Sequence, residues 1–213
     1  MMKSLLIFAA LPLFAVDVTR VTKTETIPFT GAGTLRFAPS SGEMHILAWD
    51  RPEIEITFSK STYNPKAVPA LDRVQMKVDR HDSDVVVSTV TPKHKDVQIE
   101  YQVHAPRNIA LAIDHKKGGV YVTGIAGDIQ AKVGDGQITL RLPDNAAYAI
   151  NAKSRTGSVY SDFAGAEKFT RLFGESFTKS ADSAKQLNLK IGFGDILILK
   201  TPYHPVESTQ LQK

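Results

Sequence analysis

The 213-residue sequence contains no cysteine and only one tryptophan, Trp49. Without cysteine the chain can form no disulfide, supply no thiol nucleophile, bind no metal through thiolates and carry no lipid on a cysteine. An exported protein that has no disulfides is more typical of a bacterial envelope than of a eukaryotic secretory route. The absence therefore excludes thiol-dependent enzymes and thiolate metal centres.

Long runs of one charge are also missing. The chain has 26 Lys and Arg against 22 Asp and Glu, a formal net charge of +4, and the two signs are interspersed. A nucleic-acid-binding protein usually concentrates its basic residues on one face. The pattern therefore predicts a solvated surface of mixed charge and no nucleic-acid partner. With 42% hydrophobic and 23% charged residues, the composition is that of a globular protein.

A long hydrophobic run occurs only at the N-terminus. Residues 5–16 are almost continuously apolar, Lys3 precedes them and Asp17 ends the run. Such a run is short for a bilayer span and is typical of a secretory signal. We predict that residues 1–16 are a signal peptide cleaved near Ala15, with an uncleaved anchor as the alternative. After cleavage no stable membrane span is expected, and the chain is exported to the periplasm, the cell surface or the medium.

From Thr24 to Pro106 hydrophobic and polar residues alternate with a period of two. The inward positions include Leu35 and Phe37, Met44 and Ile46, Ile54 to Phe58, Val74 to Val78, Val85 and Val87, and Val97 to Val103. This period indicates half-buried strands rather than helices. Residues 17–105 are therefore predicted to form an antiparallel β meander.

After Pro106 the strands shorten and glycine becomes frequent. Glycine suits tight turns because it adopts a positive φ without a Cβ clash. The predicted turn glycines are Gly42, Gly119, Gly127, Gly136, Gly157, Gly165, Gly174 and Gly194. Five of them, Gly119, Gly136, Gly157, Gly174 and Gly194, follow one another at intervals of 17, 21, 17 and 20 residues, and three pairs of the glycines are 38 residues apart. This near-regular spacing predicts a β-helix or β-roll-like solenoid over residues 106–201. An antiparallel β-sandwich with glycine-containing hairpins is the alternative, and residues 202–213 form a polar tail.

Two segments resemble a known family. Residues 34–56 read TLRFAPSSGEMHILAWDRPEIEI, and residues 101–140 contain VHAPR followed by GGVYVTGIAGDIQAKVGDGQI. Together they resemble the bacterial "putative adhesin" family of exported β-strand-repeat domains. The resemblance implies one right-handed β-helix-like domain over residues 17–201 at the cell envelope. It implies no catalytic residue, because the shared motifs are structural.

Candidate catalytic groups are few. A polysaccharide lyase or glycosidase would need carboxylates clustered on adjacent strands. The candidates are Asp114, Asp128 and Asp135, with Lys116, Lys117 and Arg141 to neutralise substrate charge. Asp128 and Asp135 adjoin glycines, where aspartate is a common turn residue. The turn interpretation is therefore favoured, and no catalytic residue is predicted.

Metal-binding patterns are equally sparse. Asp79, Asp82 and Asp84 surround His81 and supply the hard oxygen ligands that calcium prefers, but the segment lacks the glycine and distal glutamate of an EF-hand. The six histidines have no paired ligand spacing. Trp49 suits either of two roles: it stacks on a sugar, or it is a corner residue whose indole N–H has a partner within the protein. The second role is favoured. We therefore predict no metal and no cofactor.

Three functions are compatible with these observations. The preferred one is a non-catalytic, adhesin-like envelope module that presents a β-solenoid surface to an unknown protein or glycan. The second is an exported carbohydrate-active enzyme that uses the three aspartates. The third is a structural or assembly protein that self-associates through the ends of the solenoid, since stacked strands leave unpaired edges.

Overall fold

The structure, a computed structural model, describes residues 18–30, 32–90, 96–165, 167–170, 172–182 and 185–202. The predicted signal peptide and almost all of the predicted tail lie outside the described residues. The strands are β1 (Thr19–Pro28), β2 (Thr34–Ser41), β3 (Glu43–Trp49), β4 (Glu53–Thr62), β5 (Gln75–His81), β6 (Asp84–Val90), β7 (Gln98–Pro106), β8 (Ala110–Thr123), β9 (Ile129–Pro143), β10 (Tyr148–Thr156), β11 (Val159–Ser161), β12 (Glu167–Thr170), β13 (Glu175–Lys179) and β14 (Lys185–Thr201). A 3-10 turn (Pro65–Ala67) and helix α1 (Val68–Leu71) are the helical elements of the described part.

The all-β prediction is confirmed. In β7, Ile99, Tyr101 and Val103 are buried, whereas the residues between them are partly or fully exposed. This is the period-two pattern read from the sequence, since successive side chains of a strand point to opposite faces. None of the helical segments described is long and apolar enough to cross a membrane.

The strands form one large mixed sheet that is bent into two limbs. β2 and β3 are consecutive and both pair with β8, but β2 also pairs with β6 whereas β3 also pairs with β7. The first limb contains β5, β6, β2, the N-terminal halves of β8, β9 and β14, and β10, β13 and β12. The second limb contains β1, β4, β7, β3, the C-terminal halves of β8, β9 and β14, and β11.

The limbs pack against each other over one apolar core. The ring centroids of Phe37 in the first limb and Tyr101 in the second lie 6.0 Å apart, edge to face. The Tyr101 hydroxyl crosses the core and donates to Thr89 Oγ1 at 2.8 Å. Burial of the Tyr101 side chain in this core raises its pKa to about 12, although the hydrogen bond to Thr89 opposes the shift. The alternating sequence thus supplies the facing apolar surfaces of both limbs.

A row of glycines marks the bend. Gly42, Gly118, Gly136, Gly194 and Gly157 all have φ between +118° and +147°. A Cβ on Gly194 would lie 1.8 Å from the Gly136 carbonyl oxygen, and one on Gly136 would lie 2.1 Å from that of Gly118. Both the backbone conformation and the close approach of neighbouring strands therefore require glycine here.

The other predicted turn glycines lie elsewhere. The positive φ in β8 belongs to Gly118, and the predicted Gly119 follows it. Gly165 has φ +77° in a loop, whereas Gly127 and Gly174 do not have positive φ. At these last two positions a Cβ would meet a backbone carbonyl oxygen within 2.4 Å.

Two predictions of strand order are wrong. Residues 17–105 do not form a meander, because β7 lies between β3 and β4 and runs parallel to β3. The glycine-punctuated strands are not stacked in chain order either, because β14 lies between β9 and β10 and is parallel to both. A period of two shows which residues face inward, but it does not show which strands are neighbours.

Candidate binding surface

The outer face of the first limb carries polar residues in register. Along β9, Ala131 and Val133 are buried while Gln130 and Lys132 are exposed. β8, β9, β14 and β10 are parallel and in register, so equivalent residues lie side by side at about 4.8 Å per strand. Each outward position therefore extends across the sheet as a row.

Three lysines form one of these rows. Lys190 of β14 pairs in register with Lys132 of β9 on one side and Lys153 of β10 on the other. All three side chains are exposed. Among the described residues no carboxylate lies within 4.0 Å of their ammonium groups. Like charges directly opposite one another on a sheet face destabilise it, so this lysine row costs the fold stability.

A row of side-chain amides runs beside the lysine row. Asn188 is in register with Gln130 on β9 and with Asn151 on β10, two residues before each lysine. An amide offers both donors and an acceptor, so this row can bind hydroxyl groups as well as anions. We call Gln130, Asn188 and Asn151 the amide row.

On the other side of the lysine row lies an open concavity of about 610 Å³. Gly134, Gly192 and Gly174 line it together with the lysine row and Arg155. A Cβ on Gly192 would lie 2.4 Å from the Gly134 carbonyl oxygen, so side chains are excluded from this part of the surface. The result is a depression with a cationic wall.

An aromatic residue borders the depression. The Arg155 guanidinium carbon lies 4.9 Å from the ring centroid of Phe193, a cation–π contact that holds the guanidinium over the ring. Because Arg155 stands two residues after Lys153 on β10, both side chains project from the same face of the strand. Arg155 therefore adds a fourth cation to the surface.

The outer face of the second limb is richer in rings. His45 stacks on Tyr121 with centroids 4.8 Å apart, and Trp49 stacks on His104 at 5.1 Å. The Trp49 indole N–H donates to the Glu53 carbonyl at 2.8 Å. Trp49 is half-buried and internally bonded, which is the arrangement of the corner interpretation.

The three candidate aspartates do not converge. Asp128 accepts a hydrogen bond from the backbone N–H of Gln186 at 2.9 Å, and Asp135 pairs with Lys117 at 3.5 Å. They stand seven residues apart along one strand direction, roughly 23 Å at 3.3 Å per residue. Asp114 lies in register with Lys132 on the first limb. The described residues thus bring no two of these carboxylates together for acid–base catalysis.

The acidic segment at residues 79–84 is the tip of the β5–β6 hairpin. Asp82 turns the chain with φ +52°, and Asp84 Oδ1 accepts from the Thr34 backbone N–H at 2.9 Å. In the part of the chain that the structure describes, no three His, Asp or Glu side chains are grouped to hold a metal ion.

A buried histidine lies at the bend on β8, next to the strands that carry these rows. His115 Nε2 is 2.8 Å from the Gly42 carbonyl oxygen and Nδ1 is 2.9 Å from Ser40 Oγ. The arrangement fits a neutral ring that donates from Nε2 and accepts the serine hydroxyl at Nδ1. Burial lowers the pKa of His115, although the Gly42 carbonyl and Glu43 oppose that shift. The ring therefore stabilises the bend in its neutral form.

Sequence reasoning missed both His115 and the lysine row. A signal for the row exists, because Lys132, Lys190 and Lys153 each stand four positions before a glycine of the bend. The segments read KVGDG, KIGFG and KSRTG. Aligning the chain on Gly136, Gly194 and Gly157 finds the row, whereas the predicted pairing of glycines 38 residues apart does not.

Comparisons with known proteins concern the fold. No protein-family model matches the sequence, and no curated protein matches it. The fold is similar to the crystal structure of a "putative cell adhesion protein" from Clostridium sporogenes, with 15% identity, a TM-score of 0.52 and coverage of 86% of this chain and 100% of that chain. A "putative adhesin" from Parabacteroides merdae aligns at 12% identity over 83% of this chain and 80% of its own, with a TM-score of 0.26. The similarity to the Clostridium structure therefore shows a shared fold.

Proposed function

We propose that the chain is a non-catalytic, adhesin-like module that binds its partner on the outer face of the first limb. The observation that carries this proposal is the lysine row with its flanking amide row and concavity, aligned across parallel strands. A rigid sheet holds these side chains at fixed spacing, which favours recognition of an extended partner. The separation of Asp114, Asp128 and Asp135 supports binding over hydrolysis.

Membership of the "putative adhesin" family belongs to the same proposal. It is supported by the residues quoted above and by the fold shared with the Clostridium sporogenes protein. We further propose that residues 106–201 are wound as a short β-roll-like solenoid, right-handed as parallel crossovers generally are, within one domain over residues 17–201. The stacked glycines of the bend support this winding, and the insertion of β14 between β9 and β10 is its departure from regular stacking.

Export to the envelope is the proposed location, and it depends on residues 1–16 acting as a signal peptide. Expression of the full chain in a Gram-negative host, followed by fractionation and N-terminal sequencing, tests this. A mature N-terminus near Ala15 in the periplasm or medium is expected. Full-length protein in the cytoplasm would contradict the proposal.

The binding proposal is tested on an array of glycans and matrix proteins. The same chain is incubated in parallel with soluble polysaccharides, whose chain length is followed. Binding without shortening of the polymers is the expected result. Shortening of the polymers would show that the chain is an enzyme and would overturn the proposal. Binding that survives replacement of the outward residues of the first limb would also overturn it.

Self-association is the second candidate, and a separate feature favours it. β12 lies at the edge of the first limb with all four residues exposed, and the neighbouring Leu172 and Phe173 are 88% and 72% exposed. Exposed apolar residues beside an edge strand favour association with another chain. Sedimentation of wild-type chain and of the double variant Leu172→Ser/Phe173→Ser over a range of concentrations tests this. A concentration-dependent mass that the double variant abolishes would support self-association.

A further inference from the structure

We infer that the lysine row and its surroundings bind a linear acidic polysaccharide with one carboxylate on each sugar unit. This inference rests on the proposed binding function and names the class of its ligand. It is carried by Lys132, Lys190, Lys153 and Arg155, whose charges face solvent on adjoining strands.

The first argument is charge. Three ammonium groups on neighbouring strands repel one another, and in the described part of the chain none of them has a carboxylate oxygen within 4.0 Å. Nothing in the fold requires lysine at these outward positions, since a neutral polar residue would serve the sheet equally well. A polyanion that neutralises the row removes the repulsion on binding, and the net charge of +4 does not oppose its approach.

The second argument is spacing. Neighbouring lysines are held one strand apart, at about 4.8 Å. That distance is close to the length of one sugar unit in an extended polysaccharide. The carboxylates on the side of a polyuronate that faces the sheet therefore recur at multiples of the lysine spacing and can meet lysines of the row. The polymer then runs across the strands of the first limb, perpendicular to their direction.

The third argument is the surroundings of the row. The amide row on one side supplies donors and acceptors for sugar hydroxyls. The glycine-lined concavity on the other side leaves room for the sugar rings. On β8, Asp114 stands in register with Lys132 of β9, and its negative charge repels the carboxylates of the polymer. The polymer is therefore expected to cover β9, β14 and β10 and to stop short of β8.

A single-stranded nucleic acid fits this surface less well. Such ligands are usually held by exposed aromatic rings on which bases stack. The ring at the border of the row, Phe193, is 51% exposed, but the Arg155 guanidinium occupies one of its two faces, so a base finds at most one open face of one ring there. Sugars need no such platform beside a charged row.

The experiment titrates the full mature chain with polygalacturonate, neutral dextran and a single-stranded DNA oligomer. The test variant is Lys132→Gln/Lys153→Gln/Lys190→Gln. The control variant, Lys23→Gln/Lys66→Gln/Lys77→Gln, removes the same charge from exposed sites outside the row. Circular dichroism and thermal unfolding establish that both variants fold.

Wild-type chain and control variant are expected to bind polygalacturonate with similar affinity, and the test variant roughly tenfold or more weakly. Dextran is expected not to bind, and salt should weaken the wild-type complex. Equal binding by test and control variants would overturn the inference. Tighter lysine-dependent binding of DNA would also overturn it and make the row a nucleic-acid site. If the chain binds ligands on the array but does not bind polygalacturonate, this inference is refuted and the proposed binding function stands. If the chain binds no ligand in either experiment, the proposed binding function is refuted as well.

Discussion

Replacing Gly194 by alanine tests the row of glycines that bends the sheet. Gly194 has φ +122°, and an added Cβ would lie 1.8 Å from the Gly136 carbonyl oxygen in the centre of the sheet. Holding alanine in that conformation costs roughly 1–3 kcal/mol. Moving β14 away from β9 to relieve the clash sacrifices about two backbone hydrogen bonds, at roughly 1–3 kcal/mol each when their groups stay buried.

The expected loss is therefore about 5 kcal/mol, a large part of the 5–15 kcal/mol typical of a folded domain. Gly165→Ala is the matched control, because Gly165 also has a positive φ, +77°, but among the described residues other than its chain neighbours no atom lies within 4 Å of the added Cβ. That control is expected to cost about 1 kcal/mol, from the backbone conformation alone.

Urea unfolding followed by Trp49 fluorescence measures both variants. With a slope of about 2 kcal/mol per molar urea, the Gly194→Ala midpoint should fall by roughly 2.5 M and that of Gly165→Ala by roughly 0.5 M. Equal midpoints for the two variants would refute the reasoning, since they would show that the close approach of the strands contributes nothing.

Three further predictions concern stability. The pKa of His115 is lowered in the folded chain, so below pH 6.5, the ordinary value for histidine, the unfolded chain takes up a proton that the folded chain does not. Stability present above pH 6.5 is therefore lost as the pH falls towards the lowered pKa, by up to about 1.4 kcal/mol per pH unit. Urea midpoints from pH 8 to pH 5 should show this loss in the wild-type chain and a smaller loss in His115→Asn. Tyr148→Phe should leave stability unchanged or raise it by about 1 kcal/mol, because the buried Tyr148 hydroxyl has no hydrogen-bond partner among the described residues. Tyr101→Phe should lower stability by about 1 kcal/mol, because the Tyr101 hydroxyl donates to Thr89. Thermal unfolding that ranks the two variants in the opposite order would contradict this. Lys190→Gln should raise stability by about 0.5 kcal/mol in low salt and by nothing in 1 M salt, and a salt-independent effect would show that the lysines do not repel one another.

Much of the fold was predictable from the sequence, because strand formation depends on local alternation. The segment around Ile99, Tyr101 and Val103 shows its buried face without any tertiary information. The glycines of the bend were also visible, since a positive φ inside a strand leaves a glycine between two alternating runs. Gly136 and Gly194 are the clearest cases.

Strand order was not predictable in the same way. β14 inserts between β9 and β10 because its inward residues, such as Leu187 and Leu189, match those of both neighbours in register. Many other strands of this chain have the same alternation, so the pattern alone does not choose among them. The meander prediction was wrong for this reason.

The lysine row escaped prediction because it exists only across strands. Lys132, Lys153 and Lys190 are separated by many residues in the chain, and each by itself is an ordinary exposed lysine. Only the in-register pairing of β9, β14 and β10 joins them. The net charge, which is small, gave no sign of such local concentration.

The most direct test of binding on the first limb is lysine labelling of the mature chain, with and without saturating polygalacturonate, read by mass spectrometry. Our account predicts that the polymer reduces acetylation of Lys132, Lys153 and Lys190 and leaves that of Lys66 and Lys77 unchanged. Unchanged labelling of the row, or protection confined to Lys66 and Lys77, would contradict it.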